Sequence, residues 1–305
     1  MKIITVGETV YDIIFNNNKP LHAKAGGAML NSSVSLGRLG VPVVFISEFG
    51  KDRVGDSIKY FLEENNINTD FVYRYDNGMT ALALAFLDEN SNAHYTFYKL
   101  YPDERLKVQF PSISRNDIVL FGSFFAITSE VYEKLNIFVS DANFNGAIIL
   151  YDPNFREPHL NDLPKVINLI EKNISQSDII RGSDEDFRLI FNCKNADETF
   201  EMVQSFGGSY LIFTVGSKNV EFRSPNLKFS SPVPKIKTKS TIGAGDSFNA
   251  GIIFSLYKNQ IQKEQLPDLT EVQWKQIIGM GIRFGSEVCR SFDNYISLSF
   301  AKRSL

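Results

Sequence analysis

The chain of 305 residues is 43% hydrophobic and 22% charged, enough to bury a sizeable core as one large α/β domain or two small ones. Its net charge is −3 and its Lys and Arg residues are scattered rather than blocked, so composition offers no case for nucleic acid or an anionic membrane as partner; small molecules are expected instead. No stretch of about 18 uninterrupted apolar residues occurs, and the opening MKIITVGE is already strand-like without an apolar leader, so a soluble, cytoplasmic protein is expected.

Lys2 to Val6 is a β-branched run ending at Gly7, and Thr9 to Phe15 alternates with Asp12 between apolar neighbours. After a polar interruption, Gly26-Gly27 opens a stretch in which small and apolar residues recur at helical spacing from Ala28 to Leu39, with Gly40 as a C-terminal cap. Val43 to Ile46 reads as a buried strand and Asp52 to Asn65 as an amphipathic helix. Ala81 to Leu87 and Ala93 to Leu100 then predict an antiparallel hairpin around the turn cluster at 88–92, with His94, Thr96 and Tyr98 on one side and Tyr95, Phe97 and Lys99 on the other. A hairpin of this kind inside a βα pattern suggests a projecting lid, drawn from segments about 9–25 and 76–101.

Beyond Pro102 four apolar strands, Ile118 to Phe121, Ala147 to Tyr151, Ile179 to Arg181 and Tyr210 to Val215, each stop at small or polar residues and are each expected to lead into a helix. In open parallel sheets ligands bind beyond the carboxyl ends of strands, so these loops are expected to line one crevice. With no repeat or linker to divide the chain, the expectation is a doubly wound, mostly parallel α/β sheet over residues 1–305, with a small antiparallel lid.

The most informative stretch is Ser240-Thr241-Ile242-Gly243-Ala244-Gly245-Asp246, running into the apolar segment Ile252 to Tyr257. Taken alone it reads either as an ordinary glycine turn with a first-turn acid, or as a helix N-terminus whose N–H groups from Ala244 to Asp246 bind an anion beside a carboxylate. A dinucleotide fingerprint is disfavoured because Phe248 stands where its third glycine belongs, and no Walker loop, protein-kinase motif set or nucleophile elbow is present. Phosphoryl transfer suits what remains, since its loose, charge-spread transition state asks the protein mainly for donors, a cation and an oriented acceptor hydroxyl. Cys193 and Cys289 are too few for a staple framework, and His22, His94 and His159 lack ligand spacing.

Thr241-Ile242-Gly243-Ala244-Gly245-Asp246 resembles the D-T-x-G-A-G-D signature of the ribokinase-like sugar kinases, the PfkB carbohydrate kinase family. Gly26-Gly27, Asn31 and Leu36-Gly37-Arg38-Leu39-Gly40 resemble that family's N-terminal glycine signature, and the likeness extends over essentially the whole chain. The resemblance implies Asp246 as catalytic base, with Gly243, Ala244 and Gly245 as the anion hole. It implies Asp12, Gly26, Gly27, Asn31, Phe97 and Arg156 at the sugar, and Thr214, Gly216, Thr241, Gly243 and Gly245 at the nucleotide. Residue by residue, plainer readings stand beside these: Asp12 as a solvent-facing strand acid, Arg156 as a surface partner of Glu157 or Asp152, Phe97 as lid packing.

Three positions depart from the family pattern. Ser240 replaces an Asp that helps organise a monovalent-cation loop, which leaves potassium open; Ser183-Asp184-Glu185-Asp186 replaces N-x-x-E, so an indirect magnesium role falls to Glu185 or Asp186; and Asn219 replaces a glycine. The implied activity is ATP- and Mg2+-dependent phosphorylation of a ketose, fructose being the best single choice. The alternatives are a 2-keto-3-deoxygluconate or nucleoside acceptor, or a non-catalytic sugar sensor. A homodimer through the lid is the further implication.

Overall fold

The computed structural model describes residues 1–87 and 93–305; the predicted turn cluster at 88–92 lies outside the described residues. The chain begins with β1 (Ile3–Val6), whose Ile3 and Ile4 are both fully buried but in different apolar clusters, one on each side of the strand. That double burial is why the run is β-branched throughout rather than alternating. β2 (Val10–Asn16) and β3 (Lys19–Gly26) form an antiparallel hairpin joined at Asn17-Asn18, both with positive φ. The segment expected as a polar interruption is therefore mostly strand, and its turn chemistry was the available signal.

α1 (Ala28–Gly37) is buried from Met29 onwards and packs on the face of β1 that carries Ile3 and Thr5. Leu30, Val34 and Leu36 are each fully buried, contributing about 1.5–3 kcal/mol apiece. β4 (Val43–Gly50) runs parallel to β1 and extends beyond the strand expected at Val43 to Ile46. α2 (Arg53–Glu64) follows, with Asp52 as its N-cap, then β5 (Ile67–Asn68) and β6 (Val72–Tyr75), both on β4. β7 (Met79–Leu87) and β8 (Ala93–Leu100) form the expected antiparallel hairpin. β2 joins β7 in parallel, giving a four-stranded small sheet in the order β3-β2-β7-β8 among the described residues.

The second half builds the rest of the main sheet from β9 (Ile118–Gly122), α3 (Ser129–Phe144), β10 (Ile148–Asp152), α4 (Leu163–Ser175), β11 (Ile179–Ser183), α5 (Asp184–Phe191), α6 (Ala196–Ser205) and β12 (Tyr210–Val215). The expectation that Tyr210 to Val215 leads into a helix is corrected. Lys218 N–H bonds the Val215 carbonyl at 2.9 Å, and the chain turns back as β13 (Asn219–Arg223), antiparallel to β12, and then as β14 (Lys228–Pro232), antiparallel to β13. Val220, Phe222 and Phe229 bury the inner face of that hairpin, which is what its alternating pattern encodes.

α7 (Ala244–Lys258), α8 (Glu271–Val288) and α9 (Leu298–Ser304) complete the chain. The main sheet runs β14-β13-β12-β11-β10-β9-β1-β4-β5, with parallel pairing from β12 across to β5. α1, α2, α7, α8 and α9 contribute to one apolar cluster and α3 to α6 to the other, so the sheet is covered on both faces. The strand order reverses between β1 and β9, where connections from the two sides part and leave a crevice at the strands' carboxyl ends. α7 is buried from Asp246 to Leu256, so its first turn, carboxylate included, is held inside the protein.

Asp52 joins the two sheets. Its Oδ1 accepts from Gly55 N–H and the Thr80 hydroxyl, both at 2.8 Å, and its Oδ2 accepts from Thr80 N–H at 2.7 Å. It therefore caps α2 and anchors the start of β7 with one carboxylate. Asp52→Ala is expected to lower unfolding free energy by about 2 kcal/mol, read as a lower urea midpoint at unchanged slope.

Candidate active site

Two helix N-termini meet at the site. Gly27, the N-cap of α1, has φ 125° and approaches Glu8 so closely that a Cβ would lie 2.2 Å from the Glu8 carbonyl oxygen. Gly243, the N-cap of α7, has φ 78°, and a Cβ there would lie 2.2 Å from the Asn294 carbonyl oxygen. Both positions exclude any side chain. Between the helices, Asn31 Nδ2 donates to Asp246 Oδ2 and the Ser32 hydroxyl to the Asp246 carbonyl, each at 2.8 Å. The Ala244 N–H bonds the Thr241 carbonyl at 3.2 Å, which corrects the expectation that it is a free donor. The N–H groups of Gly245 and Asp246 have no acceptor among the described residues and remain for an anion.

Burial pushes the Asp246 carboxyl up to about 6; the Asn31 hydrogen bond opposes this, Asp152 adds like charge, and Arg156 and Arg181 offset it. Asp12, on β2, retains an open edge but is crowded by protein. Its carboxyl is pushed up to about 7 by burial, with Lys24 opposing from β3 and Asp246 reinforcing. A Cβ on Gly26 would lie 2.0 Å from Asp12 Oδ2. Thus Asp12, Gly26, Gly27, Asn31 and Asp246, spread over more than two-thirds of the chain, come together around one opening. One face of Asn31 is spent on Asp246, while its Oδ1 is buried without a donor.

Beneath α7 lies a cluster that motif reading passed over. Arg181, at the carboxyl end of β11, donates from Nη1 to Asp152 Oδ2 at 2.9 Å and from Nη2 to Thr214 Oγ1 at 3.0 Å. Asp152, at the end of β10, also accepts from Asn249 Nδ2 at 2.6 Å and from Asn154 N–H at 3.0 Å. Asp152 is fully buried and Arg181 7% exposed. The surface pairing of Arg156 with Asp152 is therefore not formed; Arg156 is exposed and makes no ion pair with the described residues. The overlooked signal was a single Arg between two isoleucines and a glycine, a charge inside a buried strand.

The pfkB family carbohydrate kinase description matches residues 1–291 of this chain. The chain belongs to that family. It is 27% identical over 280 residues to a fructokinase of Rhizobium leguminosarum bv. trifolii, covering 88% of this chain and 84% of that protein. A fructokinase of Vibrio cholerae O395, solved in a fructose, ADP and calcium ion bound form, superposes with a TM-score of 0.86 at 18% identity, covering 99% of this chain and 98% of that one. An aminoimidazole riboside kinase of Salmonella enterica, solved with aminoimidazole riboside and an ATP analog, gives 0.85 at 18%, covering 99% and 98%. These structural likenesses establish the ribokinase-like fold.

In this carbohydrate kinase the remaining predicted residues are placed unevenly. The Thr214 hydroxyl is already satisfied, accepting from Arg181 and donating to the Gly182 carbonyl at 3.4 Å, while Gly216 forms the open turn after β12. Thr241 is exposed, its carbonyl holding the Ala244 N–H. Ser240 Oγ accepts from Ile242 N–H at 3.2 Å and so shapes the turn. Glu185 is exposed, whereas Asp186 is buried and bonds Ser183 N–H at 2.7 Å and its hydroxyl at 2.6 Å as the capping box of α5. On the small sheet, Phe97 is 45% exposed with Lys99 Nζ 5.0 Å from its ring centre. Lys99 reaches back to Glu8 at 2.6 Å, so the Phe97–Lys99 face is the one turned towards the main sheet.

Because the Asn31 amide stabilises the ionised form of Asp246, Asn31→Ala is expected to move the Asp246 titration from about 6 towards neutral pH. A carbon-13 NMR titration of the carboxyl reads this directly, and an unmoved midpoint would contradict the assignment of that hydrogen bond.

Proposed function

We propose that this kinase transfers the γ-phosphoryl group of ATP to a hydroxyl of a neutral sugar, with fructose as the favoured acceptor. The observation that carries the reading is the pairing of the Asp246 carboxylate with two unspent N–H groups on the same helical turn. Asp246 Oδ2 is engaged by Asn31, which leaves Oδ1 for the acceptor hydroxyl. As the new bond forms from the sugar oxygen to phosphorus and the bond to the ADP oxygen breaks, Oδ1 takes the hydroxyl proton. The Gly245 and Asp246 N–H groups meet the oxygens of the transferred group, where charge is spread in the transition state.

On the sugar side, Asp12, Gly26, Gly27 and the unpaired Asn31 Oδ1 form a polar rim suited to hydroxyl groups, with Arg156 at the mouth. Phe97 and the small sheet act as the lid that keeps water, a competing acceptor, from the phosphoryl group. Thr214 acts on the nucleotide side through Arg181 rather than by its own hydroxyl, with Gly216 and Thr241 shaping the loops around the phosphates. Neutral sugars are favoured over sugar acids because two of the nearby cations are already matched, which leaves Arg156 as the partner a sugar acid would use. Lys99 is paired with Glu8, and Arg105 forms a buried pair with Glu48. The fructokinase names of the relative and of the neighbour with bound fructose point the same way.

The residues present do not build a cage for magnesium. Asp186 is spent on its cap, Glu185 faces solvent, and no group of three potential ligands occurs among the described residues. Any divalent ion is thus assigned to the nucleotide phosphates, as part of the substrate. Leu21, Met79, Tyr98 and Leu100 leave the small sheet with exposed apolar area, so a homodimer through this sheet belongs to the proposal. Sedimentation showing only monomer at assay concentration would remove that part.

A coupled ADP-release assay over a panel of sugars, sugar acids and nucleosides tests the activity. Turnover is expected with fructose, and its absence with every acceptor would sink the kinase reading in favour of a binding-only protein. Turnover should fall as pH drops through about 6, because Asp246 then holds a proton and cannot accept another. Asp246→Asn should keep sugar affinity while lowering turnover by roughly 100-fold or more.

A further inference from the structure

Arg181 is a cation sealed beneath the proposed phosphoryl site. Its Nη1 lies 2.9 Å, its Nη2 3.2 Å and its Cζ 3.4 Å from the position a Cβ would take on Gly245, so the guanidinium lies directly against the turn that presents the two N–H groups. Phe248, one turn further along α7, places its ring centre 5.4 Å from Cζ. The only carboxylate bonded to the guanidinium among the described residues, Asp152, is shared with Asn249 Nδ2 and Asn154 N–H, and the Nε of Arg181 is buried without an acceptor. Besides Asp152, the carboxylates of Asp186 and Asp246 also act on the charge, so the guanidinium sits among carboxylates at the foot of this turn. Through Asp152 and Asn249 the same cluster fastens the ends of β10 and β11 to α7, one turn beyond Asp246.

We propose that Arg181 is a positioning residue for phosphoryl transfer, a fixed positive charge behind the Gly245 and Asp246 N–H groups that holds this turn in place and favours the charge gathering on the transferred group. A staple alone would not require a charge here. A buried ion pair is costly to desolvate, and apolar residues of similar volume often serve stability as well or better. A planar cation also differs from an ammonium, because its fork reaches Asp152 and Thr214 together while both Nη atoms lie against the Gly245 turn. In a site closed to water, a fixed charge at this range acts strongly and needs no reorganisation during the reaction.

The inference rests on reading the Gly243–Asp246 turn as the phosphoryl site, and the experiment separates the two. Calorimetry on the full chain, with the sugar that supports turnover, compares affinity for ADP alone with affinity for ADP plus aluminium fluoride, a mimic of the transferred group. If the wild-type protein binds both equally, the phosphoryl-site reading fails, and Arg181 with it. If the wild-type protein prefers the mimic, Arg181→Met is expected to reduce that preference by about 10-fold to 100-fold while sugar affinity stays within about threefold, and Arg181→Lys to restore part of it. Arg181→Met combined with Asp152→Asn removes both buried charges together and provides the decisive protein if the single Met variant does not fold. A mimic preference within about threefold of wild type in the folded Met-containing variant overturns the positioning role and leaves a staple.

Discussion

The structure turns on one arrangement, a carboxylate held inside the protein at the first turn of α7 and hydrogen-bonded to Asn31 on α1. A buried carboxylate is unfavourable unless donors and positive charge surround it. Here the helix N-terminus, the Asn31 amide and two arginines provide that surrounding, yet burial still prevails enough to bring Asp246 up to about 6. The group stays largely ionised at neutral pH while being more basic than a surface aspartate, which suits proton acceptance from a hydroxyl. Both helices must open on glycine for this to happen, because each N-cap lies against a backbone carbonyl.

The rest of the fold serves that contact from two directions. From below, the carboxyl ends of β10, β11 and β12 send Asp152, Arg181 and Thr214 into one network under α7. Such a network is useful only when nearly all of its members are satisfied, and in this one the gaps lie at Arg181 Nε and Asn249 Oδ1. From the side, the small sheet is tied down by short polar links. Asp52 holds the start of β7, and Glu8 receives Lys99 and Tyr101 from β8 and the residues after it. These attachments are polar and partly exposed, one of them an ion pair, so the small sheet is joined to the body by contacts weaker than those of the core.

Much of this was readable from residue order. The two glycine-led helices, the amphipathic α2 with its Asp52 cap and the hairpin of β7 and β8 all announce themselves locally, through spacing, capping and turn chemistry. The hairpin of β13 and β14 did not, because Gly216-Ser217 is as compatible with a helix start as with a tight turn. The strand at Lys19–Gly26 was obscured by its exposure, since an edge with few buried side chains lacks an apolar rhythm. The plainer alternative of a surface pair between Arg156 and Asp152 failed for a related reason. Proximity in sequence suggested a surface pair, whereas Asp152 points into the protein and meets an arginine from the next strand.

What the sequence determined by itself was the kind of site: glycines that only fit a close backbone approach, an acid at a helix start, and a companion motif far upstream in matching order. These are local chemical requirements, so they survive in the linear text. What only the tertiary structure decided was which groups share charge. That Asp246 raises Asp12, that Ala244 is spent on Thr241 while Gly245 and Asp246 are not, and that Arg181 lies under Gly245 were not legible in residue order. Electrostatic energy falls with separation and rises with burial, and neither quantity is written in residue order.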